Sequence, residues 1–175
     1  MTSTAPPEFS RLVPLARLGV EPFRQEIAAT ESERAALARR FGLPAVDQLC
    51  AEVELVRLGQ DMFRLRATFS AEFVQNCVVT LDPVGGAVSE EFTLLYALPE
   101  MEADAGETVE DEIAFEPLVG NAIDVGEAVA QQFSLALPPF PRSPDATLDA
   151  EAPPADEAGP LAAGLARLVD RRGDG

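Results

Sequence analysis

The fold is decided by residues 62–74, which read MFRLRATFSAEFV. Apolar side chains fall at every second position, namely Phe63, Leu65, Ala67 and Phe69, with Met62, Arg64, Arg66, Thr68 and Ser70 between them. Successive side chains of a strand point to opposite faces of a sheet, so this period of two predicts a long strand with one buried face. The same register directs Arg64 and Arg66 to the other face.

Shorter strand-like runs flank this segment on both sides. They are Phe9–Leu18, Phe23–Ala28, Cys50–Leu58, Cys77–Leu81 and Ala87–Leu98. Glycine, proline and aspartate at residues 59–61, 82–83 and 85–86 predict turns between them, and Pro14 favours an edge position. We therefore expect an antiparallel meander, curled toward a partial barrel.

Two capped helices complete a predicted α+β class. The stretch Thr30-Glu31-Ser32-Glu33 fits a capping box and Gly42 supplies a stop, which predicts a helix over Glu31–Phe41. A short helical turn is expected at Ala45–Leu49. A second cap at Asp124 precedes Val125, Val129 and Phe133 at helical spacing, and that helix should end before Pro138.

The 175 residues accommodate one ordinary domain with tails. Residues 1–8 are expected to form a flexible arm, and residues 9–142 the domain. Residues 143–160 are rich in proline, alanine and acids, as in a linker. Residues 161–172 carry an apolar stripe, Leu161, Leu165 and Leu168, that predicts a C-terminal amphipathic helix.

Charge is distributed very unevenly along the chain, whose net charge is −17. Residues 67–141 contain fourteen acids and no base. Seven of these acids lie in residues 100–112, which have too few large apolar side chains to offset the entropy of ordering and should form a disordered acidic loop. Such a segment would repel RNA, because a nucleic-acid binder normally needs a basic face.

The chain contains no histidine, which excludes Ser-His and Cys-His nucleophile pairs and removes the commonest metal ligand. No carboxylate pair lies in a motif that would raise one pKa, so we assign no catalytic residue and expect no enzyme and no cofactor. The N-terminus resembles no signal peptide and no stretch is apolar enough to span a membrane, so we expect a cytoplasmic protein with reduced cysteines, Cys50 and Cys77.

Three stretches, in this order, resemble the YceD family: Gln75–Val84, Ala122–Glu127 and Leu135–Pro138. The resemblance implies a role in the synthesis, processing or stability of large-subunit (23S) ribosomal RNA during ribosome biogenesis, without known catalytic residues. Many members also carry a Cys-x-x-Cys pair suited to zinc. Here only Cys77 of that pair is present, with Val74 at the first position, so no metal site is carried over.

Two interpretations of the binding chemistry remain open. The acidic loop can dock on a basic ribosomal protein or assembly factor through complementary charge, with only weak or indirect contact to ribosomal RNA. Alternatively, arginines of the N-terminal half bind RNA directly, unless they pair with Glu52 and Glu54 across the strands. The candidate binding residues are Arg57, Arg64, Arg66, Gln75, Cys77, Glu110, Asp111 and Glu112.

Overall fold

The computed structural model of the chain describes residues 7–59, 62–97, 115–118 and 120–147. Within these ranges the strands are β1 (Leu12–Pro14), β2 (Phe23–Ala28), β3 (Ala45–Arg57), β4 (Met62–Asn76), β5 (Pro83–Ala97), β6 (Phe115–Pro117) and β7 (Ala122–Asp124). The helices are α1 (Glu31–Phe41) and α2 (Val125–Ala136), and Leu15–Arg17 form a single 3-10 turn. The α+β class expected from the sequence is confirmed.

The main sheet has the strand order β2-β3-β4-β5-β6. Strands β2 to β5 are consecutive antiparallel neighbours, as a meander requires, whereas β6 returns parallel to β5 over three residues. Strand β1 pairs with β7 in a separate two-stranded sheet. Since β2 and β6 are not paired with each other, the described strands form an open sheet that is not closed into a barrel.

One face of the main sheet, called the inner face, carries the hydrophobic core. Strand β4 contributes six buried side chains at alternate positions: Phe63, Leu65, Ala67, Phe69, Ala71 and Phe73. Both helices pack on this face, and the ring of Phe133 from α2 lies 5.8 Å from Phe41 of α1 and 5.6 Å from Phe73, measured between centroids. No helix covers the opposite, outer face within the part of the chain that the structure describes.

Both helices begin at a side-chain cap. The Thr30 hydroxyl accepts from the Glu33 backbone N–H at 3.4 Å, and the Glu33 carboxylate accepts from the Thr30 backbone N–H at 2.8 Å. Gly42 ends α1 in the left-handed conformation, with φ of 66°. Asp124 caps α2 by accepting from the backbone N–H groups of Gly126 and Glu127. These caps satisfy amides that a helix leaves unpaired at its first turn.

A bulge in β3 replaces the helical turn expected at Ala45–Leu49. The pairing register with β4 shifts between Val46 and Gln48, which leaves Asp47 as the extra residue. Because of that extra residue, Val46 and Leu49 both face the core although they lie three positions apart. A spacing of three is also what one helical face shows, which explains the wrong prediction.

The strand expected at Cys77–Leu81 is instead the turn that joins β4 to β5. The Leu81 backbone N–H donates to the Cys77 carbonyl at 2.9 Å, and Leu81 adopts a φ of 64°. The turn expected at Gly85-Gly86 lies within β5. A Cβ atom at Gly86 would come within 2.7 Å of the Phe73 ring, so glycine is needed there for the close approach of that ring.

Several predicted segments lie wholly or partly outside the described residues. The acidic loop at 100–112 and the amphipathic helix at 161–172 lie outside them entirely, and only the ends of the arm at 1–8 and the linker at 143–160 lie within. Among the helices that the structure describes, none has the length and apolar character needed to cross a membrane.

Candidate functional site

The three candidate arginines, Arg57, Arg64 and Arg66, do not share one surface. Arg64 and Arg66 project from the outer face of β4. Arg57 pairs across the strands with Phe63, and its guanidinium carbon lies 5.5 Å from the centre of the Phe63 ring, on the inner-face side. Its Nε donates to the Gly59 carbonyl at 2.9 Å. The structure therefore brings Arg64 and Arg66 together and separates Arg57 from them.

Arg66 is engaged by acids on neighbouring strands. Its guanidinium bonds to the Glu91 carboxylate of β5 at 2.5 Å, and this hydrogen bond raises the pKa of Arg66. Glu54, directly opposite Arg66 on β3, accepts from Arg24 of β2 at 2.7 Å. Acids thus alternate with bases across the outer face, and the positive charge of Arg66 is compensated within the protein.

Arg64 differs from Arg66 in having apolar cross-strand neighbours. It lies opposite Val56 on β3 and Leu95 on β5, and its side chain is exposed. It has no side-chain hydrogen-bond partner among the described residues. On the outer face, Arg64 is consequently the arginine best placed to meet an anionic group from outside.

Gln75 and Cys77 hold the segment that follows α2. The Gln75 side-chain amide donates to the Pro138 carbonyl at 3.0 Å, and the Val78 backbone N–H donates to the Pro141 carbonyl at 2.9 Å. The Cys77 sulfur accepts the backbone N–H of Ser143 at 3.4 Å. Both candidate residues therefore hold the end of β4 and the turn after it against the chain that follows α2.

The Cys77 thiol is inaccessible to solvent, and the hydrogen bonds around it lower its pKa. Its sulfur also accepts the backbone N–H groups of Val79 and Thr80, both at 3.4 Å, within its own turn. A hydrogen bond from the Thr80 side chain, followed by the bonds from the backbone, lowers the pKa of Cys77 to about 6. The side chain is 0% exposed, which keeps reagents away from the sulfur.

Val74, at the first position of the Cys-x-x-Cys pair of relatives, lies in β4, before the turn that holds Cys77. On the other side of Cys77, the hydroxyl of Thr80 reaches the Cys77 sulfur from three positions further along the chain.

The Ala122–Glu127 stretch has a structural role, and Asp124 is its central residue. Its carboxylate accepts from the Ser10 hydroxyl at 2.5 Å and from the Arg11 backbone N–H at 2.7 Å, in addition to capping α2. Glu127 forms a two-point contact with the guanidinium of Arg40 on α1, at 2.7 and 2.8 Å. These bonds tie the N-terminal segment and both helices together, and they leave Asp124 no free oxygen for chemistry.

The remaining candidate residues, Glu110, Asp111 and Glu112, lie outside the described part of the chain. Among the residues that are described, no group of three histidine, cysteine, aspartate or glutamate side chains is arranged to hold a metal ion.

A family model described as "Large ribosomal RNA subunit accumulation protein YceD" matches residues 65–163, more than half of the 175-residue chain. The match includes most of β4 and all of β5 and α2. No curated protein and no solved structure matches the chain.

Proposed function

The chain belongs to the YceD family, and on that premise we propose that it is a non-enzymatic, cytoplasmic factor in ribosome biogenesis that supports the synthesis, processing or stability of 23S ribosomal RNA. The family match over residues 65–163 carries this proposal. Asp124, Glu127 and Arg40 make contacts that hold the fold together, so we give them a structural role and not a catalytic one. This supports a binding role for the protein.

Docking on a protein explains the surface better than docking on RNA. The net charge of −17 opposes approach to a phosphate backbone. Arg24 and Arg66 are neutralised by Glu54 and Glu91, and Arg57 faces away from Arg64. A basic ribosomal protein or assembly factor would instead be attracted by the same field, which accelerates encounter.

The first experiment is a ribosome sedimentation profile, with mapping of large-subunit RNA ends, in cells depleted of the protein and in cells complemented by it. Depletion should reduce free large subunits and leave their RNA unprocessed or missing, and complementation should restore both. An unchanged profile with normal RNA ends would refute the proposal.

Direct RNA binding is the second candidate, and it is favoured by the exposed Arg64, which has no side-chain hydrogen-bond partner among the described residues. If it is correct, affinity for a large-subunit RNA fragment should fall steeply with salt, and Arg64→Ala should weaken binding and reduce the salt dependence. Arg39→Ala, which removes an exposed arginine from α1, is the matched control. Equal, weak binding by both variants and the parent chain would reject this candidate.

A further inference from the structure

Strand β5 presents a long unpaired edge. It runs for fifteen residues and pairs with β4 along its whole length. On its other side β6 pairs only with Leu95–Ala97, so residues 83–94 have no strand partner there within the described part of the chain. An extended strand rises about 3.3 Å per residue, so this open stretch is roughly 40 Å long.

The register shows which backbone groups are left without partners. The Cys77 N–H donates to the Asp82 carbonyl, and bonded pairs alternate along antiparallel strands, so even-numbered residues of β5 bond to β4. The Ala97 carbonyl accepts from Leu118 on the opposite side, which agrees with this assignment. Odd-numbered residues therefore direct their N–H and C=O groups to the open edge: Gly85, Ala87, Ser89, Glu91 and Thr93.

Pro83 fits the same register. As an odd-numbered residue at the start of β5, it would direct its backbone nitrogen to the open edge, where a missing N–H breaks no bond to β4. Pro83 thus indicates that this side of β5 is an edge from the first residue of the strand.

The core beneath this edge is incomplete. Val88 and Phe92 on the inner face are only half-buried, whereas their cross-strand partners on β4, Ala71 and Ala67, are 2% and 1% exposed. Leu94 is half-buried in the same way. One more strand beside β5 would cover this apolar row and satisfy the open backbone groups together.

Charge specifies the character of that additional strand. Strand β5 carries Glu91 on the outer face, opposite Thr68, and Glu90 on the inner face, opposite Phe69, and β6 carries Glu116. Neither strand has a basic residue. Glu72 of β4 adds a further exposed carboxylate on the outer face, opposite Ala87. The chain's own residues 98–114 carry seven acids and no base, so like charge disfavours them as the occupant.

We propose that the open edge of β5, residues 83–94, is a docking site for an extended segment of a protein partner in which apolar and basic side chains alternate. The segment adds a strand to the sheet through main-chain hydrogen bonds. Its apolar side chains cover Val88 and Phe92, and its basic side chains lie beside Glu72 and Glu91 on the outer face. This inference deepens the proposed function by naming where, and in what form, a basic partner docks.

The test is backbone amide exchange of the full chain, followed residue by residue by NMR, without and with a ten-residue peptide of alternating valine and arginine. In the free chain, amides at positions 87, 89, 91 and 93 should exchange rapidly, whereas those at 88, 90 and 92 should be protected. The peptide should slow exchange at the odd-numbered positions by about tenfold or more.

Matched variants distinguish strand pairing at the β5 edge from non-specific binding of the peptide. Ser89→Pro and Ala87→Pro each remove an N–H from the open edge without removing a bond to β4, so both should keep the even-numbered protection and lose peptide binding. Ser89→Ala should bind normally. Two control peptides should leave amide exchange at the odd-numbered positions unchanged. One is N-methylated at alternate residues, and the other alternates valine and glutamate.

Three results would overturn the inference: odd-numbered amides already protected in the free chain, equal binding of the N-methylated peptide, or peptide protection confined to other strands. Cells complemented with Ser89→Pro separate this inference from the proposed function. A normal ribosome profile in those cells would reject the edge as the docking site and leave the role in ribosome biogenesis standing.

Discussion

Gly126 lies so close to Phe9 that a Cβ atom at position 126 would stand 2.6 Å from the Phe9 carbonyl oxygen and 2.9 Å from the Arg11 nitrogen. Both obstructing atoms belong to the backbone, so neither can move aside as a flexible side chain would. The glycine of the Asp124-Val125-Gly126-Glu127 stretch therefore lets the N-terminal segment lie directly on the first turn of α2.

Gly126→Ala should consequently destabilise the protein, although alanine is the better helix former. Overpacking of this kind costs about 1 to 3 kcal/mol in the free energy of unfolding. Urea unfolding followed by circular dichroism measures it. Gly19→Ala, at a position with open space around the Cβ, is the control and should leave the midpoint nearly unchanged. Equal midpoints for the two variants would contradict the close approach.

The contact between Arg11 and Glu33 should make stability depend on pH. Its N–O distance is 2.7 Å, and the hydrogen bond from Arg11 lowers the pKa of Glu33 from 4.5 to about 2. A carboxyl whose pKa is lowered by folding stabilises the fold fully above its unfolded pKa, and this contribution is lost as the pH falls from 4.5 toward 2.

Glu33→Gln should accordingly cost about 1 to 3 kcal/mol at pH 7, and the difference from the parent chain should shrink as the pH approaches 2. Urea titrations at a series of pH values measure this difference. Glu31→Gln makes the same chemical change in the same helical turn, where the side chain has no hydrogen-bond partner among the described residues. A loss of the same size in that control would show that helix electrostatics, rather than the Arg11 contact, is responsible.

The Cys77 thiol predicts a pH dependence at the other end of the range. Its pKa is lowered from 9.0 to about 6, chiefly by the Thr80 hydroxyl and the Ser143 amide. The thiolate's contribution is therefore complete above pH 9 and is lost as the pH falls through 6. Relative to Cys77→Ser, the parent chain should gain stability between pH 6 and 9 in reducing buffer.

Absorbance of the thiolate at 240 nm gives an independent reading of the same property. The native chain should show a thiolate that titrates near pH 6, which Cys77→Ser should remove and Cys50→Ser should retain. A titration near pH 9 in Cys50→Ser, whose remaining thiol is Cys77, would mean that the three backbone N–H groups and Thr80 do not stabilise the anion.

The aromatic contact among Phe41, Phe73 and Phe133 should dominate the packing of the helices on the sheet. Phe133 is 0% exposed and Phe140 is 76% exposed, so the same substitution can be compared at a buried and an exposed site. Phe133→Ala should cost about 3 to 5 kcal/mol in unfolding free energy, and Phe140→Ala less than about 0.5. Denaturant titration measures the unfolding free energy of both variants. Similar losses of unfolding free energy at positions 133 and 140 would contradict the assigned core.

The elements that the sequence predicts well are those in which local chemistry and tertiary packing agree. The alternation in residues 62–74 marks β4 because its inner side chains are all buried, and Thr30 with Glu33 marks the start of α1 because the cap is satisfied locally. In both cases the residues that form the sequence pattern are also the residues whose contacts form the element.

The predictions failed where a distant segment decides the local structure. Val78 and Val79 are β-branched, yet Pro141 and Ser143, more than sixty residues away, hold their segment as a turn around Cys77. The Gly85-Gly86 pair suggests a turn, but the ring of Phe73 requires Gly86 within a strand. Neither influence can be read from the sequence around these positions.

The candidate site was predictable only in part. The period of two correctly places Arg64 and Arg66 on one face, but the cross-strand register, in which Arg57 lies opposite the inward-facing Phe63, places Arg57 on the other. The open edge of β5 was not predicted, although Pro83 at its start is a signal of an edge strand.

The pairing of β1 with β7 links segments that lie far apart in the sequence, since Arg11 and the Asp124 carboxylate that receives its N–H are 113 positions apart. Such distant pairings slow folding, because a large loop must close before the contact forms. During synthesis, β1 emerges first but has no pairing strand until β7, residues 122–124, follows. Pairing of the N-terminal strand is therefore a late step for a growing chain, and an incomplete chain leaves that strand exposed to proteases.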